Sequence, residues 1–86
     1  MRASHILVDT LEQAQSILAE ANGLNFSSLA QTHSKCPSGA RGGDLGDFVS
    51  GQMVKPFEDA TVSTPVGAIS QPVQTQFGFH LIHRTG

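Results

Sequence analysis

Charge is scarce in this sequence. Asp, Glu, Lys and Arg make up 14% of its 86 residues, and the net charge is −2; an average domain carries about 25%. The five basic residues are scattered along the chain. That excludes an electrostatic DNA or RNA binder, and no basic amphipathic helix is present to lie on a membrane. Cysteine is rarer still. Cys36 is the only one, so no internal disulfide forms and nothing points to an oxidising compartment. Long apolar runs are missing too: no window approaches the ~20 residues of a membrane span. The opening "MRASHILV" lacks the apolar centre of a signal peptide. The expectation is a soluble, cytoplasmic protein without nucleic-acid or membrane partners.

What remains fits one domain over residues 1–86, with a monomer as the expected state. At 9.1 kDa, burial of roughly 60–65% of the extended chain's surface allows one modest core. Ala3 to Val8 reads as a strand ending in an apolar run. Thr10 with Gln13 three residues on reads as a capping box. Leu11, Ala14, Ile17, Leu18 and Ala21 then share a helical face until Asn22-Gly23 stops it. A second helix follows with Asn25 as its expected N-cap and Phe26, Leu29 and Ala30 on one face, limited by Pro37. Leu45 to Val49 reads as a short strand, and Pro56 as the first residue of a third helix with Phe57 and Ala60 facing inward. "AISQPV" reads as a strand whose Pro72 belongs at an edge or bulge. "FGFHLIHRT" closes the chain as a strand, with Phe79, Leu81 and His83 on one face and His80 and Ile82 on the other. This order gives an α+β fold with a small, mainly antiparallel sheet.

The chemistry centres on "HSKCPSGARGGDLGDF", which sets the single thiol in a glycine-rich loop. A phosphate-binding loop fails, because Asp47 and Phe48 follow Gly46 where lysine and a hydroxyl are needed. The dinucleotide fingerprint fails at Arg41. Gly39 and Gly42 read as plain turn or bulge residues, while Gly43 and Gly46 suit a close approach of backbone to a pocket. His5, His33, His80 and His83 show no metal-ligand spacing with Cys36. A Cys–His nucleophilic pair, Cys36 with His5 or His80, stays open on pattern alone, beside the plainer reading of a small buried thiol and a core histidine. Leu45, Met53, Phe57 and Phe77 fall outside the regular helix stripes and together could line an apolar recess beside the histidines.

Three segments, "SHILV", "HSKCPSGARGGDLGDFVSGQMVKPFEDA" and "VGAISQPVQTQFGFHLIHR", closely resemble the parvulin family of peptidyl-prolyl cis/trans isomerases, in order and spacing, from Ala3 to Arg84. The resemblance implies the parvulin (FKBP-like) fold: a four-stranded antiparallel sheet, its first and last strands central, surrounded by four helices. The fourth helix would be a short turn between Phe26 and Ser34 or just beyond. It further implies a cofactor-free, non-covalent isomerase without a metal. His5 and His80 would be the paired histidines, Cys36 would stand at a Cys-or-Asp position, and Thr75 would be a neighbouring hydroxyl. Leu45, Met53 and Phe57 would hold the substrate's proline ring, with Phe77 extending that pocket and the loop glycines letting the chain lie close to substrate.

The implied partners are proline-containing peptides and unfolded protein chains, and the implied role is help in folding. A catalytically weak peptide-binding module of the same fold is the alternative. Paired imidazoles would share one hydrogen, so activity should fall on acidification within the ordinary histidine range of about pH 5–8. The phosphate-directed members carry a basic cluster after the first strand. Asp9 and Glu12 stand here instead, which implies unphosphorylated substrates, and the absence of tryptophan implies no appended WW module. Arg41, the one basic residue expected near the substrate, would favour an acidic side chain before proline or simply be solvated, and solvation is the expected outcome.

Overall fold

The computed structural model describes residues 1–86. In chain order the elements are β1 (Arg2–Val8), α1 (Leu11–Glu20), α2 (Phe26–His33), a 3₁₀ turn (Pro37–Arg41), β2 (Asp44–Asp47), α3 (Lys55–Ser63), β3 (Val73–Thr75) and β4 (Gly78–Arg84). The sheet runs β2–β1–β4–β3 with every pairing antiparallel, so the first and last strands are central. Three α-helices surround it. The short turn expected near Ser34 is the 3₁₀ segment that begins at Pro37, three residues beyond it.

Strand alternation divides the core between the two faces of the sheet. Ile6, Val8 and Leu81 pack against Ala14 and Ile17 of α1 and against Phe26 and Ala30 of α2. On the opposite face Ala3 and Ile82 pack against Phe48 and against Phe57 of α3. Each large apolar side chain buried in this way contributes about 1.5–3 kcal/mol. The faces of β4 are those expected, and His80 shares the α3 side with Ile82.

α1 starts as read: Gln13 N–H donates to Thr10 Oγ1 at 3.2 Å, and Thr10 N–H to Gln13 Oε1 at 3.3 Å. Its buried stripe is narrower than the sequence suggests, since Leu11 is 40% exposed. Asn25 precedes α2 but does not cap it. Its backbone is already helical (φ −104°, ψ −3°) rather than extended, and a capping side chain needs the extended form. Its amide reaches back instead, accepting from Asn22 N–H at 2.7 Å and donating to Glu20 O at 2.8 Å. α3 begins one residue early, at Lys55, with Pro56 in second place, where a backbone N–H would also have no helical partner. Although Arg84 lies in β4, its Nη1 donates to the carbonyls of Thr61, Val62 and Thr64 at 3.2–3.4 Å and so caps the C-terminal end of α3.

"AISQPV" is not a continuous strand. Ile69 makes an isolated bridge to His83 and Ser70 exchanges hydrogen bonds with Ile82. The ladder then resumes only at Val73, after Pro72, which has no N–H to give. β2 starts one residue earlier than expected, at Asp44, and ends two residues earlier, at Asp47 rather than Val49.

Candidate active site

The register of the central strands builds the site. His5 lies opposite Ile82, and Leu7 opposite His80, so the two imidazoles are diagonal neighbours on one face, within reach of long or flat side chains. Their Nδ1 atoms are 3.0 Å apart, and the rings lie side by side, nearly parallel at 18° with centroids at 5.2 Å, as an in-plane hydrogen bond requires. Phe57 stands nearly perpendicular to both rings, its centroid 5.6 Å from that of His5 and 5.3 Å from that of His80. Both histidines are about 95% buried. Burial, reinforced by the neighbouring imidazole, lowers the pKa of His5 to about 4; burial lowers that of His80.

Both rings are therefore neutral at neutral pH. A neutral imidazole has one donor and one acceptor, so the Nδ1–Nδ1 bond holds a single hydrogen, as the pairing implied. The acid range in which that hydrogen bond is lost lies lower than expected, because burial moves the His5 titration out of the ordinary histidine range.

The outer nitrogens extend the pair into a chain. His80 Nε2 meets Thr75 Oγ1 at 2.7 Å, and His5 Nε2 meets Ser38 Oγ at 3.1 Å. Ser38 in turn lies 3.3 Å from Cys36 Sγ. The chain can be polarised either way. When His80 donates to His5, His5 donates to Ser38 and Ser38 to the thiol. When His5 donates to His80, Ser38 donates to His5 and the thiol donates to Ser38. Ser38 is one of the residues that sequence reasoning missed. Its only sequence signal is a hydroxyl two positions after Cys36, yet it is the buried link between thiol and imidazole.

The glycines next to it do a different job from the one expected. A Cβ on Gly42 would stand 2.2 Å from Ser27 Oγ, and one on Gly43 2.2 Å from the His5 carbonyl oxygen. Both also adopt φ above +70°, where side chains are disfavoured. The loop thus lies close to its own scaffold, α2 and β1, and Gly46 abuts nothing.

In front of the pair opens a cavity of about 500 Å³. Leu45, Met53, Phe57 and Phe77 all line it, together with His5, His80 and Cys36. Thr75 does not reach the cavity and touches the site through His80. Leu7, Lys35, Pro37, Gln52 and Val54 complete the lining, none of which the sequence singled out for the site. Lys35 is the only charged side chain in the lining, and its ammonium pairs with the Asp9 carboxylate. Arg41 is exposed and outside the cavity. No three His, Cys, Asp or Glu side chains come together to hold a metal ion.

The family model for the PPIC-type PPIase domain matches residues 1–86. The chain belongs to this family. It is a peptidyl-prolyl isomerase domain of the parvulin type, and the isomerase class agrees with a site built from neutral, hydrogen-bonded side chains around an apolar hollow. The domain is 51% identical over 80 residues to the peptidyl-prolyl cis-trans isomerase Pin1 of Digitalis lanata, covering 91% of this chain and 68% of that protein. It is 46% identical over 87 residues to the foldase protein PrsA of Geobacillus kaustophilus, covering 99% of this chain but 31% of the foldase. Among solved structures, NmPin, the parvulin of Nitrosopumilus maritimus, superposes with a TM-score of 0.88 at 41% identity over 100% of this chain and 95% of that one. PrsA of Bacillus cereus superposes with a TM-score of 0.94 at 42% identity over 100% of this chain and 34% of that one. This parvulin domain thus spans about a third of the foldases it matches.

Proposed function

We propose that the chain accelerates cis/trans rotation about X–Pro bonds in unphosphorylated, exposed or unfolded protein segments, as a helper in folding. The observation that carries this is the joining of an apolar cavity to a buried, hydrogen-bonded imidazole pair on one wall. Rotation has to break amide resonance, against a barrier of ~18–20 kcal/mol, and uncatalysed proline bonds turn over in tens of seconds or more. No bond is made or cut, so catalysis requires only that the twisted amide bind better than either planar form.

In this reading Leu45, Met53 and Phe57 grip the proline ring, and Phe77, 59% exposed, extends the grip at the mouth. The carbonyl before proline swings past Cys36 and the His5–His80 pair, with Thr75 and Ser38 holding the two rings from behind. A weakly polar chamber favours the twisted amide, in which less charge is separated between oxygen and nitrogen. When the hydrogen-bond chain runs towards Cys36, the thiol hydrogen is free for that carbonyl. Covalent attack by Cys36 is not supported, because His5 Nε2 faces Ser38 rather than the thiol and a nucleophile needs its base at hydrogen-bond distance.

The carbonyl belongs to the residue before proline, so that residue sits at the Cys36 end, beside Lys35. Asp9 neutralises Lys35 there, which supports unphosphorylated, uncharged residues at this position. A module that only held peptides would have no use for a buried imidazole pair tied to Cys36, Ser38 and Thr75. Residence in the cytoplasm as a monomer completes the reading and is checked by cell fractionation and sedimentation.

The test is NMR exchange spectroscopy on a panel of unphosphorylated X–Pro peptides with catalytic amounts of protein. Faster exchange that drops in folded Met53→Ala and His80→Ala variants supports isomerase action. Peptide binding without faster exchange refutes it in favour of a holding module.

A further inference from the structure

The proline pocket has one wall without a scaffold of its own. Val49 to Met53 connect β2 to α3 with no regular structure. Inside this loop Val49 N–H donates to Gln52 Oε1 at 2.7 Å, and Gln52 N–H to Val49 O at 3.2 Å. Its hydrogen bonds to the rest of the fold number two, and both end on one carboxylate. Gly51 N–H donates to Glu58 Oε1 at 2.6 Å, and the Ser50 hydroxyl to Glu58 Oε2 at 3.0 Å. Those bonds hold the Glu58 carboxyl below the usual carboxylate range, so it is ionised at neutral pH.

Glu58 follows Phe57 directly in α3. One helical turn therefore presents the buried ring that backs the histidines and the carboxylate that anchors the loop. Met53, half-buried at the cavity, is an unbranched side chain that adapts to whatever it meets. It makes a defined wall only when the backbone carrying it is fixed.

We propose that Glu58 is a positioning residue of the proline pocket. Its carboxylate holds the Ser50–Gly51 turn so that Met53 closes the apolar end of the cavity over the ring. This rests on the reading of that cavity as the proline site. Met53 touches the ring in the planar and twisted forms alike, so Glu58 acts on uniform binding and its loss appears in KM rather than kcat.

KM and kcat for an unphosphorylated Ala-Pro peptide are to be measured by NMR exchange over a range of peptide concentrations. The proteins compared are wild type, Met53→Ala, Glu58→Ala, Glu58→Gln and the double variant Glu58→Ala/Met53→Ala. Alanine favours helix, so α3 is not weakened by the change itself, and thermal unfolding checks this. Met53→Ala and Glu58→Ala each raise KM by about three- to tenfold, with kcat within about twofold. The double variant is no worse than the worse single one, because both act through the same side chain. Glu58→Gln recovers most of the affinity, since its amide oxygen still accepts from Gly51 N–H and its NH₂ donates to Ser50 Oγ.

An unchanged KM in folded Glu58→Ala overturns the proposal, as does a double variant in which the two effects multiply, or a loss confined to kcat. If Met53→Ala leaves KM unmoved, the proline-pocket reading has failed and this proposal falls with it. Should Glu58→Ala not fold, Ser50→Ala removes one of the two bonds from the loop side. It is then expected to raise KM by about two- to threefold, and no rise overturns the proposal.

Discussion

Acidification should unfold this protein through its active site, and the size of the effect follows from one residue. In the unfolded chain His5 titrates at its ordinary value of 6.5; in the fold it titrates at about 4. Between those values the unfolded chain takes up a proton that the folded protein refuses. Stability is therefore full above pH 6.5, falls as the pH drops, and stops falling on this account near pH 4, where folded His5 is protonated too. At about 1.4 kcal/mol per pH unit, His5 alone accounts for about 3 kcal/mol. His80, shifted in the same direction, adds to the slope. Total stabilities of about 5–15 kcal/mol make that a large share.

The two carboxylates that the fold favours in ionised form, Asp44 and Glu58, lose their contribution only at lower pH. The interval between 6.5 and 4.5 thus reports the histidines. Urea unfolding at half-unit steps across it, for wild type and His5→Asn, is the assay. Wild type should lose about 2–3 kcal/mol over the interval, and the variant distinctly less. Stability that stays level, or a slope unchanged in His5→Asn, would refute the reasoning. Isomerase activity should be lost as the pH falls to about 4, where the second ring gains its proton and neither Nδ1 is left to accept the shared hydrogen bond.

Three further outcomes are expected. Asp9→Asn frees the Lys35 ammonium at the Cys36 end of the cavity and should raise turnover of Glu-Pro relative to Ala-Pro peptides by several-fold at low salt; an unchanged ratio would show that the residue before proline lies elsewhere. Gly43→Ala sets a methyl 2.2 Å from the His5 carbonyl oxygen at a positive φ, and should cost about 2–4 kcal/mol in urea unfolding. A cost below 0.5 kcal/mol, the scale of an ordinary surface change, would contradict the packing described. Ser38→Ala strips His5 Nε2 of its partner in a buried site, so it should cost about 1–3 kcal/mol and lower kcat. Full activity would mean that the thiol and the imidazoles work independently.

Much of the fold was legible because local chemistry and tertiary packing agree. The Thr10–Gln13 box, the apolar run of β1 and the alternation of β4 each point one way, and the structure follows. Asn25 misled because an asparagine suits both a cap and a turn, and here contacts with Asn22 and Glu20 decided. "AISQPV" was read correctly at Pro72, where the edge ladder breaks, but misled before it, because pattern cannot tell a single bridge at Ile69 from a continuous strand. At the site, His5, His80, Cys36 and the four apolar lining residues were found through resemblance, since their spacing of up to 75 positions leaves no local trace. Ser38 and Glu58 escaped notice because a serine in a loop and a glutamate on a helix are the commonest of surface residues. Only the partners they meet in space set them apart.

The diagonal contact between β1 and β4 also bears on how the molecule comes to exist. His5 and His80 can meet only after a loop of nearly the whole chain has closed, an entropic cost incurred before any contact offsets it. Topologies dominated by such distant pairings fold slowly for their size. Assembly of the imidazole pair is therefore a late event in the life of each molecule. A chain still emerging from synthesis, or frayed at its last strand, has half an imidazole pair and no chamber. By its own strand order, a domain of a folding family completes its candidate site only when it is itself finished.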